Sequence, residues 1–195
     1  MRKIINKNDA KKFVYEMREK MSENETRRKT QRIAERFFQQ DELLNAQNIL
    51  IYASNNKGEV YTRRIIDMLI GMGKVVSLPR TNKIKNRFVR GAFLDWEKTV
   101  ETEEGYIEST VAVDENFDDI DLIVVPAVAV SLSGKRIGYG NPYYVNLISR
   151  TLAPRVILAF EFQLFPEIES TEDDFVVDKI ITERRVINVK NKLRF

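Results

Sequence analysis

The twelve residues Ser133-Gly134-Lys135-Arg136-Ile137-Gly138-Tyr139-Gly140-Asn141-Pro142-Tyr143-Tyr144 gather two cations, three glycines and three tyrosines into one short stretch. Asn141 is a favoured helix N-cap and Pro142 a favoured first helical residue, so the spacing predicts a helix from Pro142 to about Leu152. Free N–H groups and the positive end of the dipole at such a helix start attract anions, and Gly138 and Gly140 would let the backbone come close to one. With Lys135 and Arg136 beside it, the chemistry this suits is the cradling of phosphate. No common nucleotide motif is matched. A P-loop requires Gly at Ala129 and Ser or Thr at Arg136, and a dinucleotide fingerprint requires Gly at Tyr143. The glycines are equally suited to a tight strand-to-helix turn that binds nothing.

Two further sets of residues could do chemistry. Glu59 follows Gly58 after an apolar run, where a carboxylate could accept hydrogen bonds from a nitrogen-rich ligand edge; with Thr62 it also fits ordinary first-turn helix chemistry. The first 36 residues hold twelve Lys or Arg against six Asp or Glu, the usual mark of solvated helix faces. Within them Lys7 and Lys11 are four apart and share a face, which could set two ammonium groups against one polyphosphate, and Arg18 is nearly aligned with Lys11.

Composition limits the alternatives. The 195 residues contain no Cys and no His, which removes disulfides, thiolate nucleophiles, imidazole bases and His-ligated metals. Catalysis must run on carboxylates, Lys, Arg, Tyr, hydroxyls and backbone amides. A formal net charge of +3 is too small to mark an obligate nucleic-acid or membrane binder. The N-terminus lacks the apolar run of a signal peptide, and the longest apolar stretches, such as Leu122 to Val130, fall short of the ~20 residues of a membrane helix. The expectation is a soluble cytoplasmic protein of one domain, residues 1–195.

The elements that must position these residues follow from hydrophobic period. Phe13, Val14, Met17 and Met21 form one stripe on a helix over 8–21, and Ser22-Glu23-Asn24-Glu25 opens a second helix with Ile33, Ala34, Phe37 and Phe38 inward. Ile49 to Ala53 reads as a buried strand. A helix with Ile65, Ile66, Leu69, Ile70 and Met72 inward follows, capped at Gly73, and then a strand over Val75 to Pro79. Strand, helix and strand in about thirty residues make a βαβ unit and imply a parallel sheet. Further strands are expected at Phe88 to Phe93, towards an edge, at Leu122 to Val125, as the central strand, and at Val156 to Phe160, with one or two more over Asp178 to Ile187. The acidic stretch Asp95 to Asp121, eleven Asp or Glu against one Lys, reads mostly as solvated loop. The fold class is α/β: a three-layer α/β/α sandwich with a mostly parallel sheet, preceded by two N-terminal helices.

At these residues the chain resembles the 5-formyltetrahydrofolate cyclo-ligase family, also called methenyltetrahydrofolate synthetases. The matching pieces run in order from about Lys7 to Val186: the basic first helix, Gly58-Glu59-Val60 with Thr62, Leu78-Pro79-Arg80, Gly105-Tyr106-Ile107-Glu108, Asp121-Leu122-Ile123-Val124-Val125-Pro126, Gly134-Lys135-Arg136-Ile137-Gly138-Tyr139-Gly140 with Tyr143-Tyr144, Gln163, and Thr182-Glu183. The resemblance implies ATP- and Mg2+-dependent cyclisation of 5-formyltetrahydrofolate to 5,10-methenyltetrahydrofolate with release of ADP and phosphate. It implies ATP-binding roles for Lys7, Lys11, Arg136, Gly138, Tyr139, Gly140, Tyr143 and Tyr144, and substrate-binding roles for Ser54 and Glu59. The partners implied are the folate and ATP, with no nucleic acid, no membrane, and a monomer or weak homodimer.

Lys11 stands where Arg is usual, and this chain departs from the family in three further places: Asn141-Pro142 replace two glycines, Val145 replaces the Asp associated with magnesium with Asn146 for the Arg that follows it, and Asp173-Asp174 stand where a His-Asp pair is more usual. Valine cannot ligate a hard cation, and nothing assigns the metal to Asp173 or Asp174. The alternative reading is a diverged, non-catalytic folate- or nucleotide-binding relative. A nucleic-acid module, suggested by Arg184, Arg185, Lys190, Lys192 and Arg194, is opposed by the acidic middle of the chain.

Overall fold

A computed structural model describes residues 4–55, 58–85, 87–113, 116–140, 143–169 and 175–189. The chain opens with β1 (Ile4–Ile5), α1 (Lys7–Lys20), α2 (Glu23–Phe37) and α3 (Asp41–Asn45). Asn6 caps α1 by accepting from the Asn8 N–H at 2.8 Å, and the Ser22 hydroxyl caps α2 by accepting from the Glu25 N–H at 3.2 Å. Then come β2 (Asn48–Ile51), α4 (Thr62–Gly71), β3 (Val75–Asn82), β4 (Arg87–Ala92), β5 (Thr99–Glu101), β6 (Ile107–Ser109), β7 (Leu122–Val124), β8 (Ala129–Ser131) and β9 (Arg136–Ile137). The remainder is α5 (Tyr143–Ile148), β10 (Arg155–Leu158), β11 (Leu164–Phe165), β12 (Glu167–Ile168), β13 (Lys179–Ile181) and β14 (Val186–Asn188).

Seven strands form the main sheet in the order β14-β13-β10-β7-β2-β3-β4, parallel from β13 to β3 and antiparallel at both edges. Its strands are short apolar runs whose alternate residues feed two cores. Ile49, Ile51, Leu122, Val124, Val156 and Leu158 pack with Ile33 and Phe37 of α2, Leu43 of α3 and Ile65, Ile66 and Leu69 of α4. Leu50, Ile123 and Ile157 pack on the other face with Tyr144, Leu147 and Ile148 of α5. Helices therefore cover both faces of a mixed sheet, and β7 sits at its centre as expected. A third cluster joins Ala10 and Val14 of α1 to Val128, Ala129, Ile137 and Ile168, docking α1 on the small sheet β11-β8-β9. No helix among the described residues is long and apolar enough to cross a membrane.

Four expectations need correction. The buried stripe of α1 is Ala10, Val14 and Arg18, while Phe13 lies 43% exposed at its margin, edge-on to Phe165 at 5.9 Å. In α4, Ile70 and Met72 face solvent, because only Ile65, Ile66 and Leu69 fall on the sheet side. The acidic stretch is loop over most of its described length, but it is not simply solvated. Its β5–β6 hairpin lies over β3, with Ile107 bridged to Ala53, and Ile107, Phe117 and Ile120 are buried. Helix α5 stops at Ile148 and leaves Leu152 86% exposed, since the chain must turn before Pro154 and enter β10 at Arg155. Asn141, Pro142, Asp173, Asp174 and the tail from Lys190 lie outside the described residues.

Candidate functional site

Strand order reverses between β2 and β7: β2 continues to β3 on one side, whereas β7, β10 and β13 run away on the other. In parallel sheets the crevice beyond the carboxyl ends of strands at such a point is where ligands bind. A cavity of about 650 Å³ opens there. Tyr52, Ala53 and Asn55 come from the end of β2, Gly58 and Glu59 from the loop before α4, Pro126 from the end of β7, Arg136 and Tyr139 from the turn at β9, and Tyr144 from α5. Tyr15, Arg18 and Glu19 of α1 and the segment Glu104 to Glu108 supply the remaining walls, with Pro79 and Phe88 behind.

One hydrogen-bonded chain organises this cavity. The Tyr139 hydroxyl donates to Glu59 Oε1 at 2.5 Å and accepts from Arg18 Nη1 at 2.7 Å. Arg18 also donates to the Ala127 carbonyl at 3.2 Å, and the Asn55 N–H reaches Glu59 Oε2 at 3.4 Å. Gly58 makes the approach possible. Its φ of +70° suits a residue without Cβ, and a Cβ there would lie 2.8 Å from that of Arg18. Burial, then the charge of Glu59, pushes the Tyr139 phenol well above its usual value, so it stays a proton donor.

The opposite wall is built on Arg136, which donates from Nε to the Pro126 carbonyl at 2.6 Å and lies over the rings of Tyr144 at 5.3 Å and Phe175 at 5.2 Å. Its guanidinium occupies the space that a Cβ on Gly138 would need, so that glycine gives room to its own arginine. Tyr144 is buried, edge-on to Phe88 at 5.0 Å, and burial raises its phenol too. Glu108, buried in β6, accepts from the Thr81 hydroxyl at 2.5 Å.

The structure thus brings Glu59, Arg136, Tyr139 and Tyr144 to one cavity. Ser54 is fully buried beside it rather than on its wall: its hydroxyl accepts from the Thr62 N–H at 3.1 Å, and its own N–H donates to Thr62 Oγ1 at 2.8 Å, fixing the start of α4. Gly140, at φ +105°, is exposed with open space around it. Tyr143 begins α5, and Val145 is half-buried in the same helix. Lys7 and Lys11 are absent from the cavity wall but continue the helical stripe that holds Tyr15 and Arg18, roughly 16 and 10 Å respectively back along the axis from Arg18. Sequence reasoning missed Tyr52, Phe88 and Glu108 as wall residues, and noticed Arg18 only for its alignment. The available signal for Arg18 was a cation exactly four residues after the apolar Val14, where a buried stripe would continue.

Chemically, aromatic rings on several sides suit a planar ligand, carboxylates suit one with N–H donors, and two buried guanidiniums suit negative charge. Among the described residues no cluster of three or more acidic side chains could hold a metal ion.

Comparison with known proteins gives a consistent result. The 5-formyltetrahydrofolate cyclo-ligase family matches residues 3–183. A probable 5-formyltetrahydrofolate cyclo-ligase of Caenorhabditis elegans is 27% identical over 93% of this chain and 94% of its own length. A probable 5-formyltetrahydrofolate cyclo-ligase of Schizosaccharomyces pombe is 30% identical, over 72% and 76% respectively. The NMR structure of Aquifex aeolicus 5,10-methenyltetrahydrofolate synthetase superposes with a TM-score of 0.83 at 26% identity, covering 97% of this chain and 95% of that one. A synthetase structure from Mycoplasma pneumoniae, at 19% identity and a TM-score of 0.69, shares the fold.

Proposed function

Since the chain belongs to the 5-formyltetrahydrofolate cyclo-ligase family, we propose that it closes 5-formyltetrahydrofolate to 5,10-methenyltetrahydrofolate with ATP as phosphoryl donor. The observation that carries this reading is the Glu59 carboxylate, pinned by Tyr139 on the wall of an aromatic cavity at the strand-order reversal. A carboxylate accepts two N–H donors at once, and the amino and ring N–H groups of a reduced pterin offer that pair. Tyr52, Phe88, Tyr106 and Tyr144 supply apolar walls for the ring.

In the proposed reaction the formyl oxygen attacks the γ-phosphoryl group and ADP leaves. N10 then adds to the activated formyl carbon, the carbon–oxygen bond breaks, and phosphate departs with the proton that N10 gives up. Such chemistry asks chiefly for positioning and charge stabilisation, which a chain without His or Cys can supply. Lys7 and Lys11, with Arg136, Gly138, Tyr139, Gly140, Tyr143 and Tyr144 of the turn, are proposed to take the nucleotide. Magnesium is a different matter: Val145 stands at the usual Asp position, and the described residues offer no acidic cluster, so no step is assigned to a protein-held metal. Ser54 is proposed to act on substrate by holding the β2–α4 loop, and a cytoplasmic monomer or weak homodimer fits the reading.

Titration calorimetry with 5-formyltetrahydrofolate tests the site. Glu59→Gln should weaken binding by about 10- to 100-fold, as expected when a charged acceptor is replaced by a neutral one. Unchanged affinity would remove Glu59 from the substrate site.

A further inference from the structure

Four carboxylates line the cavity: Glu19, Glu59, Glu104 and Glu108. Glu19 and Glu104 are exposed to solvent, and Glu59 accepts on both oxygens, from the Tyr139 hydroxyl and from the Asn55 N–H. Glu108 differs from all three. It is 6% exposed, its Oε1 accepts from the Thr81 hydroxyl at 2.5 Å, and its Oε2 has neither a hydrogen-bond partner nor an ion pair among the described residues. Thr81 is not a wall residue, so the bond that fixes one oxygen leaves the other to the cavity.

Burying a carboxylate without a cation beside it is costly, yet the fold holds this one firmly. Glu108 is the middle residue of β6, paired with Val100 of β5, and the neighbouring Ile107 is bridged to Ala53 beyond the end of β2. A side chain on paired strands is held more precisely than one on a loop. Burial, opposed by Arg136 and reinforced by the charges of Glu59 and Glu108, raises the Tyr144 phenol, which puts that ring within electrostatic reach of both carboxylates.

The proposed ring closure needs a proton acceptor. N10 carries an aryl group and one hydrogen; once bonded to the activated formyl carbon it is positively charged and strongly acidic, and its proton must be taken up. The chain has no His and no Cys, no lysine is among the described wall residues, and the phenols of Tyr52, Tyr139 and Tyr144 hold their protons. The wall therefore offers carboxylates for this work.

We propose that Glu108 Oε2 accepts the N10 proton, with Thr81 as the residue that positions it. The inference rests on the folate reading of the cavity and assigns a catalytic base to it. Before reaction Oε2 accepts a hydrogen bond from N10–H and orients that nitrogen toward the formyl carbon. As the N10–carbon bond forms, the N–H bond breaks and the proton passes to Oε2. The carbon–oxygen bond then breaks with its electron pair on the phosphate, which takes the proton from Glu108 as it departs and leaves the carboxylate ionised for the next turnover. Glu59 binds the pterin, and Glu108 serves the chemical step.

Steady-state kinetics of methenyl formation, with each substrate varied in turn, test this. Glu108→Gln keeps the shape of the side chain and an acceptor for Thr81 but cannot take up the proton, so kcat should fall about 100-fold or more while both KM values stay within about threefold. Glu108→Asp retains the carboxylate and should recover part of that loss. Thermal unfolding checks each variant; should Glu108→Gln not fold, Thr81→Val removes only the positioning donor and should lower kcat about tenfold at unchanged KM. An undiminished kcat, a raised KM for the folate with kcat kept, or an Asp variant no faster than the Gln variant would overturn the proposal while leaving the folate reading intact. Absence of turnover in the unaltered chain would strike the folate reading, and this inference with it.

Discussion

Arg18 and Tyr139, 121 residues apart in sequence, meet at 2.7 Å, so the first helix and the turn after β9 are fastened together at the mouth of the cavity. The same Tyr139 hydroxyl donates a hydrogen bond to Glu59, which makes the orientation of the carboxylate depend on both.

Tyr139→Phe removes the donor to Glu59 and the acceptor of Arg18 together. Each buried group left unsatisfied costs about 1–3 kcal/mol, so KM for the folate should rise about 10-fold or more. Steady-state kinetics with each substrate varied in turn check it. An unchanged KM for the folate, with only that for ATP raised, would show that Tyr139 serves the nucleotide alone and does not orient Glu59.

Gly58→Ala should destabilise the fold. An L-residue is strained at φ +70°, and the new Cβ would meet that of Arg18 at 2.8 Å. A loss of about 1–2 kcal/mol would lower the melting temperature by roughly 2–8 °C in a chain of this size. Calorimetric unfolding measures it, and an unchanged midpoint would mean that Arg18 is not held against this loop.

Alkaline stability carries its own signature. Burial, ahead of the nearby charges, pushes the phenols of Tyr52, Tyr139 and Tyr144 well above their usual value. A folded-state pKa that is raised means that the native form holds its proton longer than the unfolded chain does. The contribution is therefore complete below the unfolded value of ~10 and is lost as pH rises beyond it. Urea midpoints should fall above that pH, and less steeply in Tyr52→Phe.

Much of this was legible beforehand because the β2–α4–β3 unit, the central β7 and the edge β4 are encoded in local apolar runs and turn residues. The apolar stripe of α1 was misread because Phe13 was counted inward while Arg18 takes a buried position. That exchange depends on Tyr139 and Ala127, which only the folded chain brings near. The β5–β6 hairpin was hidden for a similar reason: its acidic residues mask Ile107, whose burial comes from pairing with Ala53 across the chain. Glu59 is visible as a candidate from its place after a strand, whereas its hydrogen bond with Tyr139, far along the chain, exists only once the sheet is assembled.

Val145→Asp tests how the chain handles magnesium. Supplying an oxygen ligand on α5 should lower the magnesium concentration needed for half-maximal rate. An unchanged requirement would show that the metal does not approach α5 during turnover.

The central claim is tested most directly by turnover of the purified chain with 5-formyltetrahydrofolate, ATP and magnesium, following the absorbance of the methenyl product together with released ADP. The account predicts methenyltetrahydrofolate formed one for one with ADP, and loss of most of that rate in Glu59→Gln. No methenyl product at any magnesium concentration, or undiminished turnover without Glu59, would contradict it.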